Sequence, residues 1–96
     1  MNNVLTVIFE DARQINHFCN EISSYPKKFK CRLKIVKDNS INSASLLSIL
    51  RIGINTPFEI VIESYDGDNM KNVMKCKEEI ERWFVDYGND KKRNED

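Results

Sequence analysis

Two residues of the chain could carry a phosphoryl group. His17 is the only histidine. In the first turn of a helix, its imidazole could accept phosphate near free N–H groups, with Arg13 one turn earlier pairing with the oxygens. At Ser45, a phosphate would place about two negative charges at a helix start. Each residue also has a plainer interpretation, His17 as a half-exposed helix residue and Ser45 as an unmodified first-turn or capping serine.

The remaining reactive side chains do not form a catalytic or metal-binding motif. The three cysteines are widely spaced and include no CxxC pair, so we expect small buried apolar residues in a reducing cytoplasm. Asp66 and Asp68 flank Gly67 without the further oxygen ligands of a calcium loop. The sequence therefore predicts no metal, no cofactor and no enzymatic activity.

Charge and hydropathy restrict the partners and the cellular location. The 15 Lys and Arg balance the 15 Asp and Glu, which removes the electrostatic argument for binding nucleic acid or an anionic membrane. The apolar run at residues 4–9 is too short for a signal peptide or a membrane span. We expect a cytoplasmic protein with protein partners, without nucleic acid or membrane contacts.

Hydrophobic periodicity predicts the elements that position these residues. Strands are predicted at residues 4–9, 29–35, through 41, and 58–63, and helices at 15 to about 25, 45–52 and 70–87. Pro26 ends the first helix and Gly53 the second. The candidate caps are Asn16 or Asp11, then Ser43 or Asn42, then Asp68. The order β-α-β-β-α-β-α indicates an α+β fold, with residues 1–88 as one domain and 89–96 as a polar, disordered tail.

The second predicted helix is unusually apolar for its length. Such a short helix buries one stripe, so some of its large apolar side chains must stay exposed. If Leu46 and Ile49 point inward, Leu47 and Leu50 form an outward pair, with Arg51 at the rim. This pattern favours a helix that binds a protein partner.

Two further groups of side chains have structural interpretations. The basic residues of the second strand and the segment before it are predicted to form a solvated face, because no exposed aromatic residues interleave with them. They are Lys27, Lys28, Lys30, Arg32 and Lys34. Trp83, Phe84 and Tyr87 are predicted to form the core and rim of the last helix.

The segment at residues 41–54, Ile-Asn-Ser-Ala-Ser-Leu-Leu-Ser-Ile-Leu-Arg-Ile-Gly-Ile, is similar to a segment of HPr, the phosphocarrier protein of the bacterial sugar phosphotransferase system. In both, a short strand leads to a serine and then to an apolar helix. Ser45 stands at the regulatory serine position. The resemblance extends over residues 4–84. It implies an HPr-like open-faced β-sandwich, a four-stranded antiparallel sheet with three helices on one face (βαββαβα).

The chain departs from HPr at the start of the first helix. HPr proteins carry Gly-Leu-His-Ala-Arg-Pro-Ala there, and the histidine accepts phosphate through Enzyme I. In this chain the histidine position holds Gln14 or Ile15, and the arginine position holds Asn16 or His17. Neither glutamine nor isoleucine can form a phosphoramidate. Crh-type paralogues also have glutamine at the histidine position and act when phosphorylated on serine.

The resemblance implies a regulatory or binding protein of the phosphotransferase or carbon-catabolite system, switched through Ser45. Its partners would be HPr kinase, Enzyme I or a transcriptional regulator, and it would be a monomer or a homodimer. Two alternatives remain: a phosphocarrier that uses His17, or an interaction or assembly domain unrelated to sugar transport. The implied partner-binding residues are Leu46, Leu47, Ile49, Leu50 and Arg51, with Arg13, Asn16 and His17 on the first helix.

Overall fold

A computed structural model describes residues 3–65, 67 and 70–94, with the side chains of the last helix described up to residue 89. The strands are β1 (Val4–Val7), β2 (Cys31–Lys37), β3 (Ser40–Ser43) and β4 (Phe58–Ser64). The helices are α1 (Ala12–Ile22), α2 (Tyr25–Phe29), α3 (Leu46–Ile52) and α4 (Met70–Asn94). Three helices are thus accompanied by α2, a single short turn.

The four strands form one antiparallel sheet in the order β1-β4-β2-β3. Val61 of the central strand β4 lies opposite Val4 on one side and Lys34 on the other. In β2, Leu33 and Ile35 are buried, whereas Arg32, whose side chain points to the other face of the sheet, is exposed. The α+β class with an open four-stranded antiparallel sheet is therefore confirmed.

Aromatic side chains join the sheet to the helices. The Phe9 ring lies 5.2 Å from that of Phe18 in α1, 5.9 Å from Phe58 in β4 and 5.4 Å from Phe84 in α4. Phe9 and Phe18 are fully buried, and Trp83 and Phe84 pack against the core from its margin. The predicted core and rim positions of Trp83 and Phe84 are confirmed.

The boundary between the first helical region and β2 differs from the prediction. Helix α1 ends at Ile22, and Tyr25 begins α2, in which Pro26 occupies the first turn. Proline fits a first turn because its missing N–H has no intrahelical partner there. Phe29 ends α2 instead of starting the strand, since Lys30 adopts a left-handed conformation (φ 54°) that redirects the chain.

Local capping determines where the other elements begin and end. Asp11, not Asn16, caps α1: its Oδ1 accepts a hydrogen bond from the Gln14 N–H at 2.7 Å. The predicted turn between β2 and β3 is confirmed, because Asp38 and Asn39 both have positive φ, as a type I′ hairpin requires. Gly53 ends α3 with φ 95° and donates to the Ile49 carbonyl.

The last helix is longer than the sequence predicts. Its backbone continues from Met70 to Asn94, so residues 89–94 are helical where a disordered tail was expected. This segment is rich in lysine and arginine, which are good helix formers. It continues a helix that is already formed, so the unfavourable nucleation of a first turn is not needed again. Residues 95 and 96 and the predicted Asp66 turn and Asp68 cap lie outside the described residues. None of the helices in the described part of the chain is long and apolar enough to cross a membrane.

Candidate functional site

Three leucines of α3 form an exposed apolar surface, here called the α3 surface. Leu46, Leu47 and Leu50 are 40%, 63% and 43% exposed, whereas Ile49 is fully buried. The predicted outward pair, Leu47 and Leu50, is confirmed. The condition attached to that pair, that Leu46 and Ile49 point inward, holds for Ile49 but not for Leu46, which borders an open cavity at the start of α3. Ile49 lies in the core and is thereby excluded as a partner-binding residue.

Ser45 is the N-cap of α3, which confirms its interpretation as a capping serine, and the other candidates, Ser43 and Asn42, are wrong. Its Oγ accepts a hydrogen bond from the Ser48 N–H, and the Ser48 Oγ accepts one from the Ser45 N–H, each at 3.2 Å. This reciprocal arrangement is a capping box in which serine replaces the usual glutamate. Ser45 is exposed, so its hydroxyl stands beside the α3 surface and within reach of solvent.

Gln14 and Ile15, the two candidates for the position of the HPr histidine, are both buried near the start of α1. Gln14 is buried, and its Oε1 accepts a hydrogen bond from the Glu10 N–H at 2.7 Å. Ile15 is fully buried in the core. Both side chains therefore stabilise the helix and the core, and neither faces an incoming partner.

His17 lies in the second turn of α1, because the helix begins at Ala12. The expectation of an imidazole among first-turn N–H groups is therefore wrong. Its ring instead makes an edge contact with the Tyr87 ring, with the centroids 6.0 Å apart. This contact joins the exposed side of α1 to the later turns of α4.

Helices α1 and α3 pack beside each other, which places the exposed residues Arg13, Asn16 and His17 on the element next to the α3 surface. Arg51 is also exposed, at the last turn of α3. Within the described residues, no hydrogen bond, ion pair or ring contact joins the three α1 side chains to α3. The structure thus brings the two elements together, with Arg13 and Asn16 exposed beside α3 and His17 in contact with Tyr87 of α4.

Two exposed apolar residues close to α3 were not predicted from the sequence. Ile8 and Ile54 are 48% and 47% exposed. Ile8 precedes Phe9 and Ile54 precedes Asn55 in the sequence. The Asn55 N–H donates a hydrogen bond to the Phe9 carbonyl at 2.7 Å, which holds the two segments together. The available signal was the Gly53–Asn55 segment, since glycine and asparagine both tolerate positive φ and allow a tight chain reversal.

The cysteines are free thiols in the core or at its margin. Cys31 and Cys76 are fully buried, as predicted, and burial raises the pKa of both, that of Cys76 to about 12. Cys19 is half-buried, and burial raises its pKa as well. Among the described residues, no group of histidine, cysteine and carboxylate side chains has a geometry that could hold a metal ion.

Comparisons with known proteins return no relative. No family model matches the chain, and neither the curated proteins nor the solved structures include a significant match.

Proposed function

We propose that this chain is an HPr-like, cytoplasmic regulatory or binding protein of the phosphotransferase or carbon-catabolite system. It has lost histidine phosphotransfer and is switched by phosphorylation of Ser45. The observation that carries the proposal is the exposure of Leu46, Leu47 and Leu50 directly after an exposed capping serine. The protein acts by binding a partner protein and catalyses no reaction of its own.

The architecture supports this proposal. An antiparallel sheet with one buried face is compatible with the βαββαβα open-faced sandwich. In that arrangement α1, α3 and α4 are the three helices, and α2 is an additional turn before β2. The short α3 then stands at the margin of the core, where a buried Ile49 anchors it and its other side remains available to a partner.

The α3 surface supplies the affinity. Scattered exposed leucines are ordinary, but three on the first two turns of one seven-residue helix form a continuous patch. Complete burial of an exposed leucine side chain contributes about 1.5–3 kcal/mol. Because these three are 40–63% exposed, a partner that covers them gains about half of that from each, which supports docking at this surface. Arg51 at the edge of the patch adds a charged group that orients a partner.

The first residues of α1 can also be aligned with the HPr motif in a third register. This alignment supports the loss of the phosphohistidine relay. With the cap at Asp11, Asp11-Ala12-Arg13-Gln14 stands against His-Ala-Arg-Pro, and the alanine and arginine match. A carboxylate then occupies the position of the imidazole. Because Asp11 already accepts the Gln14 N–H and carries negative charge, it repels an incoming phosphoryl group.

Ser45 supplies the switch. Phosphorylation would place about two negative charges next to Leu46 on the α3 surface. These charges would strengthen docking to a partner that carries arginine and weaken docking to an acidic one. The exposed position of Ser45 gives a kinase access to the hydroxyl.

The test is intact mass after incubation with an HPr kinase and ATP. Ser48→Ala is the matched control for Ser45→Ala, because each removes one half of the same capping box. We expect one phosphate on the wild type and on Ser48→Ala, and none on Ser45→Ala. Phosphate retained by Ser45→Ala, or no phosphate on any folded protein, would reject the Ser45 switch.

The same leucines favour one other function, an assembly domain in which a second copy covers the α3 surface. Light scattering after size-exclusion chromatography separates the two functions. The regulatory protein is expected to be monomeric with its leucines free. A stable dimer that dissociates in Leu47→Asp would identify the assembly domain instead.

A further inference from the structure

The hairpin of β2 and β3 and the neighbouring α3 line a cavity of about 360 Å³, here called the hairpin cavity. It shares no lining residue with the cavity that Leu46 borders. The hairpin contributes two cross-strand pairs to it, Ile35 with Asn42 and Lys37 with Ser40, and paired residues share one face of the sheet. A volume of this size is sufficient for a small organic molecule.

Helix α3 lines the hairpin cavity with a side that differs from its leucine side. The lining residues are Ser48, Arg51 and Ile52, which are three and four positions apart and therefore lie on one side of the helix. Leu46 and Leu50 of the α3 surface are also four positions apart and lie on another side. The hairpin cavity is thus separate from the α3 surface, and Arg51 marks the boundary between them.

Several polar groups of the hairpin cavity have no partner. In the part of the chain that the structure describes, no hydrogen bond or ion pair reaches the Arg51 guanidinium, the Asn42 amide or the Ser40 hydroxyl. The Lys37 ammonium lies 3.9 Å from an Asp38 carboxylate oxygen, which is beyond hydrogen-bond distance. The Asp38 side chain is 86% exposed, so water screens its charge. Two cations and two neutral polar groups of one cavity are therefore available to a ligand.

A phosphate monoester matches these groups better than a carboxylate does. At pH 7 it carries about 1.5–2 negative charges and three strong acceptor oxygens. This charge can neutralise Lys37 and Arg51 together, whereas a single carboxylate neutralises one cation. The three oxygens also allow a further hydrogen bond from the Asn42 amide. The half-buried Ile52 provides apolar surface for the organic part of the ester.

We propose that the hairpin cavity binds a small organic phosphate monoester. The phosphate lies between Lys37 and Arg51, the Asn42 amide donates to it, and the organic part lies against Ile52. This site is independent of the docking function proposed for the α3 surface, because Lys37 and Asn42 belong to the hairpin and not to that surface.

The experiment follows the amide resonances of the ¹⁵N-labelled full chain by NMR during titration with phenyl phosphate. The buffer contains no inorganic phosphate and is held at about pH 7, where the ester is mostly a dianion. We expect saturable shifts of residues 37–42 and 48–52 and of the Asn42 side-chain amide. Saturable shifts confined to other residues, or no saturable shift, would overturn the proposal.

Two further compounds test the chemistry of the ligand. Phenylacetate carries a carboxylate in place of the phosphate and should bind at least about tenfold more weakly than phenyl phosphate. Benzyl alcohol has a similar ring and no charge, and it should not shift these resonances. Equal affinities of phenyl phosphate and either compound would reject the assignment of a phosphate site.

Lys37→Ala and Lys34→Ala form a matched pair of variants. Both lysines belong to β2, and their side chains point to opposite faces of the sheet because they are three positions apart. Lys37→Ala should raise the Kd of phenyl phosphate by about tenfold, and Lys34→Ala should leave it unchanged. The spectra without ligand show whether each variant is folded. Equal Kd values for the two folded variants would overturn the proposal.

Variants of α3 separate this site from the α3 surface. Arg51→Ala should also raise the Kd of phenyl phosphate by about tenfold. Leu47→Asp should keep the wild-type Kd, so failure of the docking function and failure of this site are distinguishable. Loss of phenyl phosphate binding by folded Leu47→Asp would place the ligand on the α3 surface and overturn the proposal.

Discussion

The hydroxyl oxygens of Ser45 and Ser48 lie 2.7 Å apart at the start of α3. The Ser48 hydroxyl donates to the Ser43 carbonyl at 2.6 Å, so the Ser45 hydroxyl is the donor of the pair. This chain of hydrogen bonds joins the end of β3 to the first turn of α3. A phosphate on Ser45 would remove the donor hydrogen, which links the proposed modification to the local stability of α3.

Loss of either serine should weaken the cap. Ser45→Ala and Ser48→Ala are each expected to lower the free energy of unfolding by about 1 kcal/mol. Because both residues belong to one hydrogen-bond network, the double variant should lose less than the sum of the single losses. Urea unfolding measures the three values. Strictly additive losses would mean that the two side chains act independently.

The two sides of α3 should respond differently to substitution. Leu47→Asp and Leu50→Asp should change the free energy of unfolding by no more than about 0.5 kcal/mol, since both side chains face solvent. Ile49→Ala should cost about 2–5 kcal/mol, because it leaves a cavity in the core. Thermal unfolding of the three variants checks this. Unfolding of Leu47→Asp would show that the α3 surface belongs to the core.

The chain should not accept phosphate from phosphoenolpyruvate and Enzyme I. His17 lies beyond the first turn of α1, and Asp11 occupies the cap. Intact mass should therefore show no acid-labile phosphate on the wild type or on His17→Ala. Asp11→His places an imidazole before Ala12 and Arg13 and is expected to gain phosphate, with Asp11→Asn as the control. Phosphate on the wild type that His17→Ala abolishes would establish the phosphocarrier instead.

Stability should fall at alkaline pH. Burial raises the pKa of Cys76 from 9.0 to about 12, and burial and the hydrogen bond to Glu21 raise that of Tyr25 above its ordinary value of 10.0. Below pH 9 both groups keep their protons in either state. Above it the unfolded chain binds fewer protons than the folded one, so the free energy of unfolding decreases as pH rises.

Urea unfolding at neutral pH and at about pH 10–11 measures this decrease, which begins above the ordinary thiol pKa. Cys76→Ala and Tyr25→Phe remove one titrating group each and should reduce the difference between the two conditions. A difference that neither variant reduces would assign the alkaline loss to other residues.

Features with a local cause were predictable from the sequence. The alternation in β2 reflects one buried and one solvated face, and the turn at Asp38 and Asn39 needs residues that tolerate positive φ. The exposure of Leu47 and Leu50 followed from helix length, because a helix of two turns cannot bury its whole circumference. Each of these features depends on residues that lie within about one or two helical turns of one another in the sequence.

Features that depend on segments distant in sequence were decided by the tertiary structure. Leu46 borders a cavity that segments distant in sequence line together, namely the C-terminal part of α1, β2 and the start of α3. The hydrogen bond between Asn55 and Phe9 likewise brings together two segments that share no local pattern. Sequence periodicity reports which side of an element is apolar, whereas register and packing between elements determine which parts of that side become covered.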